Sequence, residues 1–192
     1  MIKTLWEPTD LLIFTTNAVL KKDGSLVMGR GIARAVRDSF EAHPKAPEVE
    51  IVETQKIDRI YGYLVKKYGN LPFIVPVVGK QPNSPRFVMS FPTKEDWRKP
   101  SSLSLIQKSR VYALEEIKRW RGVLKEWGAE RILCPLWGTE NGKLPLEKVE
   151  KELKLFGKEV KNLSFKIAYF NREGLVDIRT ERERNSRRKS RG

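Results

Sequence analysis

Three short segments of this 192-residue chain carry residues suited to holding a phosphate-bearing nucleotide. The first spans residues 15–33. Asn17 offers an amide that can donate and accept toward sugar hydroxyls. Gly29 and Gly31 let the backbone approach a ligand with its N–H groups turned inward. The helix that starts there adds a partial positive charge. A bare Gly-x-Gly is neither a Walker loop nor a full dinucleotide fingerprint, and it can also serve only to shape a connection. The second segment, residues 90–100, places Lys94, Trp97, Arg98 and Lys99 where cations and an indole could face an anion. Its alternative is a solvated basic loop with Trp97 in the core. The third, residues 136–144, includes Gly138, Gly142 and Lys143. It reads as a strand-to-helix loop facing the first, with Lys143 screening phosphate charge, or as an ordinary turn.

Other chemistries are poorly served. Cys134 is the only cysteine and His43 the only histidine. An intrachain disulfide is excluded, and neither a zinc site nor a thiol catalyst is implied. Cys134 lies in an apolar run and reads as a small buried residue. No metal or cofactor is called for. The apolar runs fall far short of the roughly 18–20 residues that span a bilayer, and the first residues lack the apolar stretch of a signal peptide. The expectation is a cytoplasmic protein with no membrane partner. The net charge of +14 raises affinity for polyanions, so nucleic acid is a candidate partner. Part of that charge lies in the last residues, where Arg179, Arg182, Arg184, Arg187, Arg188, Lys189 and Arg191 outnumber Glu181 and Glu183. The oligomeric state is left open.

The elements that must position these segments alternate between strand and helix. A continuous apolar run predicts a buried strand over residues 10–16. The Asp23-Gly24 pair marks a turn. Ile32, Ala35, Val36 and Phe40 predict a helix over 31–40, closed by His43-Pro44. A second helix is expected over 57–68. Strands at 73–78 and 86–91 flank a proline-rich turn and can pair as a hairpin. A long helix begins at Ser101 or Ser102 as N-cap and stops near Gly128. A strand at 131–136, a helix at 146–160 and a strand at 165–170 follow. Residues 180–192 have no apolar anchor and are expected to be disordered. Strands separated by helices imply a central sheet covered on both faces, with ligands bound where loops leave the carboxyl ends of strands.

Taken together, these segments resemble the macrodomain family, whose members bind ADP-ribose. Three stretches carry the resemblance in the family's order: Thr15-Thr16-Asn17 with Val27-Met28-Gly29-Arg30-Gly31-Ile32-Ala33, then Phe91-Pro92-Thr93-Lys94-Glu95-Asp96-Trp97-Arg98, then Pro135-Leu136-Trp137-Gly138-Thr139-Glu140-Asn141-Gly142-Lys143-Leu144. The branch it looks closest to includes phage and bacterial ADP-ribose-binding proteins and DNA ADP-ribosyl hydrolase antitoxins. The resemblance implies a three-layer α/β/α fold with a central mixed sheet over residues 1–178, followed by a basic tail over 179–192.

It also implies roles. Asn17 would contact the distal ribose. Met28, Gly29, Arg30, Gly31 and Ile32 would line the diphosphate, and Gly138, Thr139, Glu140, Asn141, Gly142 and Lys143 would close over it. Phe170 and Asn171 would lie near the adenine, with Trp6 offering a stacking ring. Lys94 matches a lysine that takes part in catalysis in related hydrolases. A lowered pKa would let its amine attack the anomeric carbon or stabilise an opened ribose. The third loop departs from the family pattern. Glu140 replaces a glycine where close backbone approach is expected, Pro145 stands where many relatives have aspartate, and a catalytic aspartate of some hydrolases would fall at Gly142.

The main reading is an ADP-ribose-binding macrodomain. The resemblance leaves open hydrolysis of ADP-ribosyl linkages on nucleic acid or protein, or of ADP-ribose 1″-phosphate. The alternative is a basic nucleic-acid-binding module with a degenerate pocket and no catalysis.

Overall fold

The computed structural model describes residues 2–178 and 181–192, the side chains of 181–185 excepted. A 3-10 turn (Ile2–Thr4) precedes β1 (Asp10–Thr16). The elements that follow are α1 (Gly31–Ser39), β2 (Phe40–Ala42), α2 (Pro47–Val52), α3 (Ile57–Tyr68), β3 (Ile74–Gly79) and β4 (Phe87–Pro92). The second half comprises α4 (Leu103–Glu126), β5 (Arg131–Pro135), α5 (Leu146–Asn162), β6 (Lys166–Asn171), β7 (Gly174–Val176) and α6 (Glu181–Ser190).

The strands form one sheet in the order β2-β3-β4-β1-β5-β6-β7. β4, β1, β5 and β6 are parallel, and β3, β2 and β7 add antiparallel strands at the flanks. The sheet is therefore mixed. The expected hairpin is present as the antiparallel pair β3–β4.

Strand alternation divides the interior into two cores. Along β1, Leu11 and Ile13 point to one face and Leu12 and Phe14 to the other, all fully buried. On the first face α4 and α5 cover the sheet through Ile106, Ala113, Ile117, Val149, Leu153 and Phe156. On the second, α1 and α3 cover it through Val36, Ile57, Ile60, Tyr61 and Leu64, the last four at i, i+3, i+4, i+7 spacing. The result is the three-layer α/β/α architecture. Ser102 caps α4 by accepting from the Leu105 N–H at 3.3 Å. Gly128 follows the helix with φ +83°, as a C-terminal stop requires.

Charged groups inside the fold are paired. Asp10, fully buried on β1, accepts from Arg131 Nε and Nη2 at 2.7 and 2.8 Å. The same guanidinium donates to the Leu5 carbonyl at 3.0 Å and so ties the N-terminal segment to the sheet. Arg110 on α4 reaches Glu152 (2.6 Å) and Glu159 (3.1 Å) on α5.

The structure differs from the sequence expectations in four places. The first helix stops at Ser39, because Phe40 is extended and packs its ring 5.1 Å from Trp6. Strands β2 and β7, three residues each, are too short to leave an alternation pattern and exist through pairing with β3 and β6. Helix α2, six residues with proline in its first turn, lies where only a chain break is expected. In the tail, α6 forms where disorder is expected. Arg187, Arg188 and Lys189 fall in its last turn, where cations suit the helix dipole. Arg179 and Thr180 lie outside the described residues. Among the described residues no helix is long and apolar enough to cross a membrane.

Candidate functional site

The carboxyl ends of the parallel strands open onto a cleft of about 810 Å³. That is where a sheet of this type leaves a crevice between outgoing loops. Thr16 ends β1, Pro135 ends β5 and Asn171 ends β6, and all three line the cleft, as does Thr93 just beyond β4.

The first wall is the loop from β1 to α1. Asn17 is buried at its start. Its Nδ2 donates to the Val27 carbonyl at 3.0 Å, and its Oδ1 accepts from the Val19 N–H at 2.8 Å. The side chain thus folds the loop back on itself and keeps one amide N–H outside these two bonds. The loop turns at Asp23-Gly24, where the Lys21 N–H donates to the Ser25 carbonyl at 2.8 Å. It then runs through Met28, Gly29, Arg30, Gly31 and Ile32, all on the cleft. Arg30 is the N-cap residue of α1, and no side chain caps that helix. Its first-turn N–H groups therefore remain as donors for an anion. Gly31 has φ +56°, and a Cβ there would come 3.3 Å from Asn141 Nδ2 on the opposite wall. A side chain would be both strained and crowded, and the glycine is what allows the two loops to approach.

The second segment forms the floor and one side of the mouth. The Thr93 N–H donates to the Thr16 carbonyl and the Ala18 N–H to the Glu95 carbonyl, so it is stitched to the first loop. Asn70 Nδ2 holds the Lys94 carbonyl at 3.1 Å. Lys94, half-buried, donates its Nζ to the Asn141 carbonyl at 3.1 Å. Burial first, and then the charges of Lys143 and Arg30, hold the Lys94 ammonium below the ordinary lysine value. Trp97 is not in the core: it lines the cleft and is 43% exposed.

The third loop is the opposite wall. Gly138, Glu140, Asn141, Gly142 and Lys143 line the cleft. Thr139 does not. Its hydroxyl donates to the Leu136 carbonyl at 3.0 Å, so it shapes the turn rather than facing a ligand. The loop is wedged against Ser101: a Cβ on Gly142 would meet Ser101 Oγ at 1.9 Å and the Gly138 carbonyl oxygen at 2.7 Å. Glycine at 142 is thus a packing requirement. The Glu140 carboxylate accepts from the Arg172 N–H at 2.8 Å in the β6–β7 turn, so it ties two walls of the cleft together.

The far end holds Phe170, buried, and Asn171, whose Oδ1 accepts from the N–H groups of Glu173 and Gly174 and shapes that turn. The expected stacking ring at Trp6 is not there. Trp6 is 2% exposed and packs on Phe40 in the core, next to Leu5, whose carbonyl accepts from Arg131. Ile2, Thr4 and Leu5 supply that part of the lining instead.

The sequence reading does not single out Arg172, Glu173 and Gly174 as cleft residues, nor Ser101. The turn signal after the last long strand marks the first three, whereas Ser101 reaches the cleft only through tertiary packing. Cys134 is buried, and its burial raises the thiol well above its usual value, leaving it inert. Among the described residues no three metal-ligating side chains cluster.

No protein-family model matches the chain. Among curated proteins it is 30% identical over 150 residues to a DNA ADP-ribosyl glycohydrolase of Thermus aquaticus, across 76% of this chain and 33% of that protein. It is 29% identical over 149 residues to the Mycobacterium tuberculosis protein of the same name, across 76% and 34%. The chain thus spans about a third of the length of these relatives. Among solved structures, the macrodomain of Mycobacterium tuberculosis DarG superposes with a TM-score of 0.58 at 23% identity, covering 84% of this chain and 88% of that one. The macrodomain of Thermus aquaticus DarG gives 0.54 at 21%, over 85% and 90%. Thermosipho africanus DarTG in complex with ADP-ribose gives 0.54 at 20%, over 88% and 39%. Sheet order, cleft position and superposition agree: the chain has the macrodomain fold, and over 76% of its length it is similar in sequence to a DNA ADP-ribosyl glycohydrolase.

Proposed function

We propose that the cleft binds ADP-ribose and that the protein hydrolyses the link between ADP-ribose and DNA. The observation that carries this reading is the convergence of Lys94, Lys143 and Arg30 on one cleft beside the uncapped N-terminus of α1. Three cations and a row of free N–H groups suit a diphosphate. Crowding the charges of Lys143 and Arg30 around the half-buried Lys94 amine also favours its neutral, nucleophilic form.

In this reading the Lys94 amine attacks the anomeric carbon of the distal ribose. The glycosidic bond to the base breaks, and the base leaves with the bonding electrons and takes up a proton. Water then displaces the amine, releasing ADP-ribose and restoring Lys94. The two steps sum to hydrolysis. The name of the curated relatives, DNA ADP-ribosyl glycohydrolase, supports this substrate class. A nucleic-acid-binding module with a degenerate pocket is not favoured, since a cleft of about 810 Å³ remains and the Glu140 carboxylate is already engaged by the Arg172 N–H.

The test is release of ADP-ribose from an oligonucleotide carrying one ADP-ribosylated base, with calorimetry on free ADP-ribose alongside. Release by the wild type and its loss in Lys94→Ala are expected. No heat with millimolar ADP-ribose would sink the binding assignment, and equal rates for wild type and Lys94→Ala would remove the lysine from the mechanism.

A further inference from the structure

We infer that Trp97 is a stacking platform for a base of single-stranded DNA flanking the nucleotide held in the cleft. The inference rests on the cleft acting on ADP-ribosylated DNA. Trp97 lies three residues beyond Lys94 and lines the same cleft. The residue is 43% exposed, although large aromatic residues bury well, and Phe91 and Trp137 do so, stacked 4.1 Å apart in the core. An exposed indole lining a cleft is available to stack on a ligand.

Its surroundings are cationic and ordered. The Arg30 guanidinium stands 5.9 Å from the ring centroid and that of Arg98 5.8 Å, the outer range of cation–π contact. Arg98 is fixed by Asp96, with Nε to Oδ1 at 2.9 Å and Nη2 to Oδ2 at 2.6 Å. The Arg98 N–H also donates to Asp96 Oδ1 at 2.9 Å, which closes the turn that carries Trp97. The ring therefore has positive charge for phosphates beside it.

An exposed aromatic face among cations suits unpaired bases, which offer their π-faces, and not a duplex, which stacks them inside. A base linked to ADP-ribose at the Lys94 amine leaves its neighbour in the strand at the mouth, where the indole stands. Trp97 would then add affinity for the strand to the affinity of the cleft for ADP-ribose.

The test uses fluorescence anisotropy with a short labelled oligothymidylate, its annealed duplex, and an oligouridylate of the same length, on wild type, Trp97→Phe and Trp97→Ala. Thermal melting checks that each variant is folded. Wild type should bind the DNA single strand more tightly than the duplex, Trp97→Phe should retain most of this affinity, and Trp97→Ala should lose about tenfold. Equal oligothymidylate affinity for wild type and Trp97→Ala overturns the platform. Tighter binding of oligouridylate overturns the assignment to DNA. Calorimetry with ADP-ribose on the same wild-type preparation separates the two levels: heat with a Trp97-independent oligomer affinity sinks the platform alone. Absence of heat sinks the reading on which it rests.

Discussion

The carboxylate of Glu140 accepts a hydrogen bond from the backbone N–H of Arg172 at 2.8 Å, joining the third cleft loop to the β6–β7 turn. A carboxylate at this position would oppose a diphosphate if it faced inward. Held by Arg172, it fastens two walls of the cleft together. The contact is exposed, so its contribution is small, about 1 kcal/mol. Glu140→Ala should raise the dissociation rate of ADP-ribose about fivefold in stopped-flow measurements, whereas Glu140→Gln, which still accepts from Arg172, should stay near wild type. A slower release in Glu140→Ala would mean that the carboxylate repels the ligand instead.

Lys94 is the residue on which the proposed chemistry turns. Lys94→Ala should lower the rate of ADP-ribose release from DNA by roughly 10²–10⁴-fold, the usual scale for a positioned reacting group. Lys94→Arg keeps the charge but has no neutral amine, and should be comparably inactive.

The pH dependence follows from the direction of the Lys94 shift. Its pKa is lowered by burial and by the charges of Lys143 and Arg30, so the amine becomes neutral at a lower pH than an ordinary lysine. Activity should rise with pH as the ammonium loses its proton and then level off. Lys143→Gln removes one repelling cation, raises the Lys94 pKa and should move the rising limb to higher pH. A limb that stays in place would show that Lys143 does not act on this amine.

Gly142 is confined by Ser101 and Gly138. Gly142→Ala should force the third loop outward, lowering stability by roughly 1–3 kcal/mol and weakening ADP-ribose binding. Calorimetry and thermal melting would read the two effects. Pairing it with Ser101→Gly should restore only part of the loss, because the Gly138 carbonyl still stands 2.7 Å from the added Cβ.

The Asp10–Arg131 pair anchors the segment that brings Ile2, Thr4 and Leu5 to the cleft. Asp10→Ala leaves a half-buried guanidinium without its partner and should cost about 3 kcal/mol in denaturant unfolding. A cost below about 1 kcal/mol would show that the pair is dispensable.

Much of the fold is legible in the order of residues because it rests on local rules. The apolar run of β1, the i, i+3, i+4 stripe of α3, the Ser102 cap and the Gly128 stop each carry their own signal within a few residues. The short strands β2 and β7 carry none, since three residues show no period and their pairing comes from neighbours far along the chain. The same division holds for the cleft. Asn17, the 28–32 run, Lys94 and most of the third loop are visible as types at suitable spacing and do line it. Thr139 has the right place in the sequence but spends its hydroxyl on Leu136. Trp6 has the right chemistry for stacking but lies in the core.

By itself the sequence determined which groups are available: glycines at the turns, one lysine among basic neighbours, no pair of thiols, and a strand–helix alternation that puts the loops at one end of a sheet. Only the tertiary structure decided where those groups point. Which way Glu140 turns, whether the Lys94 amine stands beside Asn141, and whether Trp97 is buried or bare depend on contacts between segments dozens of residues apart. Such contacts are settled by packing and by the pairing of buried polar groups, and neither leaves a mark in the local pattern of residues.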